Sequence, residues 1–134
     1  MAIIPKEIKD YLPGKVAWVA TADKNGVPNL APKGTLAVLD DQSLVFADIF
    51  SLKTRTALEE NPNVAVAVID PAGPSGYQFK GKSELLTSGP VYDAVAAKVK
   101  AALPQVGPPK YVVKIAVTEI YSLSPGPDAG KKIA

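Results

Sequence analysis

The sequence predicts a mainly β domain, an antiparallel barrel that is closed or partly closed. Several short stretches rich in β-branched residues recur along the chain, turn residues join most of them as hairpins, and few segments carry a helical stripe. At 134 residues the chain is expected to be a single domain spanning 1–134. That length is enough to bury a real core without disulfide or metal staples.

The elements follow in order. Lys6 to Leu12 can form a short amphipathic helix, with Ile8 and Leu12 on one face, and Pro13-Gly14 stops it. Lys15 to Ala22, rich in Val, Trp and Thr, is a strand. Asp23-Lys24-Asn25-Gly26 is a hairpin turn, because Asn-Gly supplies positive φ readily. The return strand Val27 to Lys33 contains Pro28 and Pro32, which cannot donate to a ladder, so it is expected at an edge or bulged. Thr35–Leu39 and Ser43–Asp48 form a second hairpin. Ser51 to Glu60 is a short helix ended by Asn61-Pro62, since the residue before proline avoids the helical region.

Asn63 to Asp70 is a strand that reads as too uniformly apolar to be half exposed. A Pro/Gly loop, Pro71 to Gly76, leads to a long strand, Tyr77 to Ser88. Pro90 to Leu103 is the clearest helix, with Pro90 near its start and Val91, Val95 and Val99 spaced by one turn, a stripe expected to be core packing. Lys110 to Ser124 is the last strand, alternating Tyr111, Val113, Ile115 and Val117 against Val112, Lys114 and Ala116. The tail from Pro125 is expected to be loose. The total comes to about six strands, with a short helix after the fourth and a longer one before the last.

Composition removes whole classes of chemistry. The chain has no cysteine and no histidine. Disulfides, thiolate metal sites and Ser-His-Asp or Cys-His catalysis are therefore excluded, and any redox chemistry has to come from a bound cofactor. A net charge of +2 does not imply a nucleic-acid or membrane partner. The N-terminal residues lack a signal core and no apolar run reaches the roughly 20 residues of a membrane span, so a cytoplasmic location is expected.

Ser51-Leu52-Lys53-Thr54 has the chemistry of an anion site. A helix start leaves unpaired N–H groups and a partial positive charge, hydroxyls add donors, and a lysine adds a point charge. The same residues also suit a plain N-cap beside a solvated lysine. Ala31-Pro32-Lys33-Gly34-Thr35 has two readings as well: an edge kept free for a flat ligand, which Gly34 lets approach closely, or an ordinary bulge. Among the aromatics, Phe50 and Tyr77 are the better candidates for stacking on a ring, although packing is the commoner role.

The order of elements and four stretches resemble the FMN-binding split-barrel family related to pyridoxamine 5'-phosphate oxidase. The stretches are Val16–Thr21 with Asn25–Asn29, Ala31–Thr35, Leu44–Asp48, and Ser51-Leu52-Lys53-Thr54 running through Asn61-Pro62 to Val64. The resemblance implies a six-stranded antiparallel split β-barrel and a homodimer with FMN at its two-fold interface. By analogy Ser51, Lys53 and Thr54 hold the phosphate. The backbone of Ala31, Pro32, Lys33, Gly34 and Thr35, and that of Ala47, Asp48, Ile49 and Phe50, line the ribityl chain and ring, with Lys33 near the pyrimidine edge. The implied function is redox, as a small flavin oxidoreductase or electron carrier with an unspecified small-molecule substrate or redox partner. Two rivals remain: the deazaflavin F420 in the same cleft, or a structural barrel without cofactor. Pyridoxamine phosphate oxidases close with an arginine-rich substrate segment. Arg55 is the last arginine here, so oxidation of vitamin B6 is not expected.

Overall fold

The computed structural model describes all 134 residues, Met1–Ala134. The elements are α1 (Lys6–Tyr11), β1 (Ala17–Ala22), β2 (Pro28–Lys33), β3 (Ala37–Asp40), β4 (Ser43–Asp48), α2 (Lys53–Glu60), β5 (Asn63–Ile69), β6 (Gly76–Leu86), α3 (Pro90–Ala102) and β7 (Tyr111–Ser122). All strand pairs are antiparallel, in one sheet ordered β2-β1-β5-β6-β7-β4-β3. The sheet has seven strands rather than the six expected, and three helices. The proline-bearing segment is a full strand. Pro32 lies opposite Trp18 and Pro28 opposite Ala22, so the two missing donors share one side, and β2 sits at the sheet edge where that side needs no partner.

The two edge strands, β2 and β3, are consecutive in the chain and joined only by Gly34, Thr35 and Leu36. From Lys33 to Ala37 the backbone can reach at most about 14 Å. A flat sheet of this width would hold its edges about 29 Å apart. The sheet therefore curls until its edges nearly meet, but no ladder joins β2 to β3. The barrel is left with a slot between them.

The core fills the inside of this curl. β4 is buried along its whole length, and β1 and β5 alternate, sending Ala17, Val19, Thr21, Val64, Val66 and Val68 inward. Phe46 and Phe79 are fully buried, and Ile4, Ile8 and Leu12 join the cluster from the N-terminal segment and α1. The expectation that residues 63–70 would be buried on both faces fails, because Ala65 and Ala67 face outward with Ile69. Facing pairs of an antiparallel ladder share a face. Trp18, Ala20, Leu30, Pro32, Ala65 and Ala67 therefore make one apolar outer surface, on which Trp18, Leu30 and Pro32 are exposed.

The tail is not loose. β4 pairs with β7 only as far as Ala116, which leaves the later part of β7 with unpaired groups on that side. The chain turns back and supplies them: Ile133 N–H donates to Ile120 O (2.7 Å), Ser122 N–H to Lys131 O (3.0 Å), and Ala134 packs on the core. The N-terminus closes the gap between, with Ala2 N–H donating to Val117 O (3.0 Å). No helix is long and apolar enough to cross a membrane.

β6 and β7 approach most closely at the bulge between Lys80 and Gly81. A Cβ on Gly81 would lie 2.3 Å from the backbone oxygen of Ala116, whereas one on Gly34 meets nothing within 4 Å. Gly81→Ala is expected to lower unfolding free energy by about 3 kcal/mol, at the strained end of overpacking. Gly34→Ala should stay within about 0.5 kcal/mol of the parent, as unconstrained surface changes do. Urea denaturation of the two variants tests the contrast.

Candidate functional site

The slot between β2 and β3 widens into a cleft of about 800 Å³. Asn29 to Thr35 form one wall, Ala47 and Ile49 to Thr54 the other, and Ala102 and Leu103 from the end of α3 close it. The cleft thus collects the two stretches singled out from the sequence, which lie far apart in the chain and meet because the barrel curls. Asp48 is the exception: its carboxylate turns away and does not line the cleft.

The helix starts two residues later than the sequence implies. α2 begins at Lys53, Leu52 occupies the cap position in a helical conformation, and no side chain caps the helix. Ser51 is therefore not an N-cap. Its hydroxyl instead meets the Lys33 ammonium across the slot, joining β2 to the turn before α2. Thr54 in the first turn is buried, and its Oγ1 accepts from Asn29 Nδ2 at 3.0 Å. Asn29 is also 3.5 Å from Thr21 Oγ1. Ser51 and Thr54 are both buried, yet both line the open cleft. Lys53 lines it too, from an exposed position.

The resulting donor set is Lys33, Ser51, Asn29, Thr54 and the uncapped first turn of α2. Burial pushes the Lys33 amine below its ordinary range. Asp48 pulls it back up, and the Arg55 guanidinium lowers it further. Its charge is thus partly desolvated and only partly compensated at the cleft, which favours an anion there. Arg55 cannot serve that anion directly. Its Nε donates to Asp48 Oδ2 at 2.7 Å and a terminal nitrogen to Oδ1 at 3.2 Å, a fork-like pair that raises the guanidinium pKa further. Asp48 is nearly fully buried and its carbonyl accepts from Lys110 N–H at 2.9 Å. This ion pair ties α2 to the end of β4 and fixes the turn that carries Ser51.

On the other wall, Thr35 Oγ1 accepts from Ala47 N–H at 2.9 Å, which holds the Gly34–Leu36 connection against β4. Phe50 stands at the rim, 83% exposed, where a planar ligand can reach it. Tyr77 does not belong here: it packs edge-on against Tyr11 with ring centroids 5.1 Å apart and lines no part of the cleft. Lys33, placed near the pyrimidine edge by the resemblance, has its amine against the Ser51 hydroxyl. Asn29, Leu30, Leu52, Ala102 and Leu103 were not anticipated. Asn29 was legible in principle, since it shares the alternation of Ala31 and Lys33 along β2. No three metal-ligating side chains come together anywhere in the chain.

A curled antiparallel sheet, slotted between its edges, with a hydroxyl- and lysine-bearing turn at the slot, defines a split-barrel protein with a candidate anion site. The chain belongs to the pyridoxamine 5'-phosphate oxidase family, whose model matches residues 4–124. It is 39% identical over 133 residues to an uncharacterized protein of Methanocaldococcus jannaschii, covering 98% of this chain and 88% of that one. Among solved structures, HupZ of Group A Streptococcus superposes with a TM-score of 0.84 at 33% identity, covering 96% of this chain and all of that one. An FMN-binding protein of Syntrophomonas wolfei shares the fold at TM-score 0.73 and 17% identity, over 82% of this chain and 78% of that one. An F420 reductase and HutZ, a heme-storage protein of Vibrio cholerae, also share it, at 21% and 16% identity.

Replacing Arg55 with Met leaves the buried Asp48 carboxylate without its partner. The expected loss is about 3 kcal/mol, the low end for breaking a buried pair, because Arg55 keeps partial exposure. Chemical denaturation measures it, and a loss under about 1 kcal/mol would mark the pair as an ordinary surface contact.

Proposed function

We propose that this protein binds FMN in the slot, with the phosphate among Lys33, Ser51, Thr54 and Lys53, and that it works as a homodimeric redox protein, an electron carrier or small oxidoreductase. The observation that carries this reading is the gathering of two buried hydroxyls and a half-buried ammonium at the foot of an open cleft. The cleft volume lies within the range of cofactor sites, and Gly34 leaves free the space that any side chain would take. Asn29 orients the Thr54 hydroxyl, and the Asp48–Arg55 pair positions the turn. The walls from Ala31 to Thr35 and at Ala47 and Ile49 offer backbone and small side chains to the ribityl chain and ring, with Phe50 at its edge. Bound FMN would supply hydride or electron transfer; the chain's residues bind it, orient it and exclude water.

Family membership and the FMN-binding neighbour favour a flavin. F420 is a direct competitor for the same cleft, and a cofactor-free barrel is the reading left if neither binds. A heme reading is the weaker one, because the sequence has no histidine or cysteine for an axial ligand and its one methionine is Met1.

The test is calorimetric titration with FMN and with F420, beside a visible spectrum of the purified protein. FMN should bind at one site per chain. Lys33→Ala is expected to weaken it by about 1.5–3 kcal/mol, the worth of a hydrogen bond to a charged group. Lys53→Ala should cost less, since its side chain is exposed.

The pH profile follows from the Lys33 shift. Its ammonium is the binding form, and its pKa lies below 10.5 in the free protein. Affinity should therefore be full near neutrality and fall as pH rises towards that lowered value. Lys33→Met should abolish this alkaline loss. An unchanged profile would remove Lys33 from the site.

The homodimer would use the uncovered outer face. Trp18, Leu30 and Val16 are 45%, 64% and 52% exposed on it, and such patches mark association surfaces. Trp18→Glu is expected to convert the dimer to monomer by light scattering, with the fold retained by circular dichroism.

A further inference from the structure

Helix α3 is only lightly embedded in the molecule. Of its thirteen residues only Val99 is buried, although Val91, Val95 and Val99 make the continuous apolar stripe that normally seals a helix to its core. The stripe stands over a second cavity, of about 360 Å³, between α3 and the β3–β4 hairpin. Ten of its thirteen lining residues are hydrophobic, Val38, Val45 and Val95 among them, and Lys98 is its single charged group. Protein interiors pack to the density of organic crystals, so an apolar space this large under a helix is unusual as mere packing and falls in the range of ligand sites. Lys98 is exposed and makes no ion pair, which places an unspent positive charge at the mouth of an apolar chamber.

This chamber adjoins the slot. Gly34, Thr35, Ala102 and Leu103 line both. A molecule seated under α3 would meet whatever ring lies along the Gly34 wall.

We infer that the α3 chamber is the substrate compartment of the slot and takes an apolar monoanion, a medium-chain or aromatic carboxylate. The carboxylate sits at Lys98 and the apolar body lies among Val38, Val45 and Val95. As a substrate compartment it rests on the flavin reading; as a binding site it stands on its own lining.

The probes are decanoate and 1-naphthoate, with decanol as the uncharged control, titrated calorimetrically into the full chain with and without FMN. Decanoate should bind saturably, at one site per chain. Lys98→Met should weaken it about threefold to fivefold, the range for an exposed charge pair, and Lys98→Arg should restore it. Decanol should bind the parent and Lys98→Met equally. Ala94→Trp, which fills the chamber from an exposed helix position, should remove binding without lowering the melting temperature. With FMN bound, decanoate should perturb the flavin visible spectrum, as a neighbour at Gly34 and Leu103 must.

Absence of saturable binding by either carboxylate, with FMN binding intact, overturns the chamber and leaves the flavin reading standing. Carboxylate binding without any FMN binding overturns the flavin reading and with it the role as substrate compartment. Unaltered affinity in Lys98→Met, or retained binding in a folded Ala94→Trp, overturns the assigned seat. If decanoate binds only when the dimer dissociates, a second copy covers the chamber and the inference fails.

Discussion

The short connection from Lys33 to Ala37 is the constraint on which the rest depends. It ties together the two strands at opposite edges of the sheet, so the sheet has to curl. No ladder forms between those edges. Prolines at 28 and 32 reinforce this, because β2 has no donors to offer at those positions. The slot is therefore built into the topology and does not depend on any one side chain. The hydrogen bond from Ala47 N–H to the Thr35 hydroxyl fixes how far the slot opens.

The donors at that slot come from places that only the curl brings near each other. Lys33 lies at the end of β2, whereas Ser51 and Thr54 follow β4, and the strands between them in the sheet order are β1, β5, β6 and β7. Within the barrel the polar groups support one another. Asn29 holds Thr54, Lys33 meets Ser51, and Arg55 is fully engaged by Asp48. The arrangement separates the two nearby cations: Arg55 is neutralised and structural, while Lys33 stays only partly compensated and faces the cleft.

Much of this was legible in the sequence, and the failures have identifiable causes. Strand positions and the edge placement of residues 28–33 followed from β-branched runs and prolines, whereas the wall at 47–50 came only from the resemblance to the family. The strand total of six fell short, although each of the seven strands lies on a stretch that the sequence itself marks as β. β5 was misjudged because Ala reads as apolar, yet here Ala65 and Ala67 lie on the outer face and only the valines turn inward. Ser51 reads as a cap by residue type, but Leu52 intervenes in a helical conformation, and the hydroxyl finds Lys33 through a tertiary contact that no local pattern encodes. The α3 stripe has the spacing of a core helix, and sequence periodicity cannot distinguish a filled interface from a hollow one.

The register of β4 against β7 has a consequence for how the molecule is made. β4 is buried on both faces, yet its inner neighbour, from Tyr111 to Ala116, is separated from it by α2, β5, β6 and α3 and is synthesised well after it. Until then the nascent chain carries a largely apolar strand with one open edge, joined only to the short β3. Pairing so distant in sequence closes slowly, so this hairpin is where an unfinished chain is most exposed to aggregation and most in need of a chaperone.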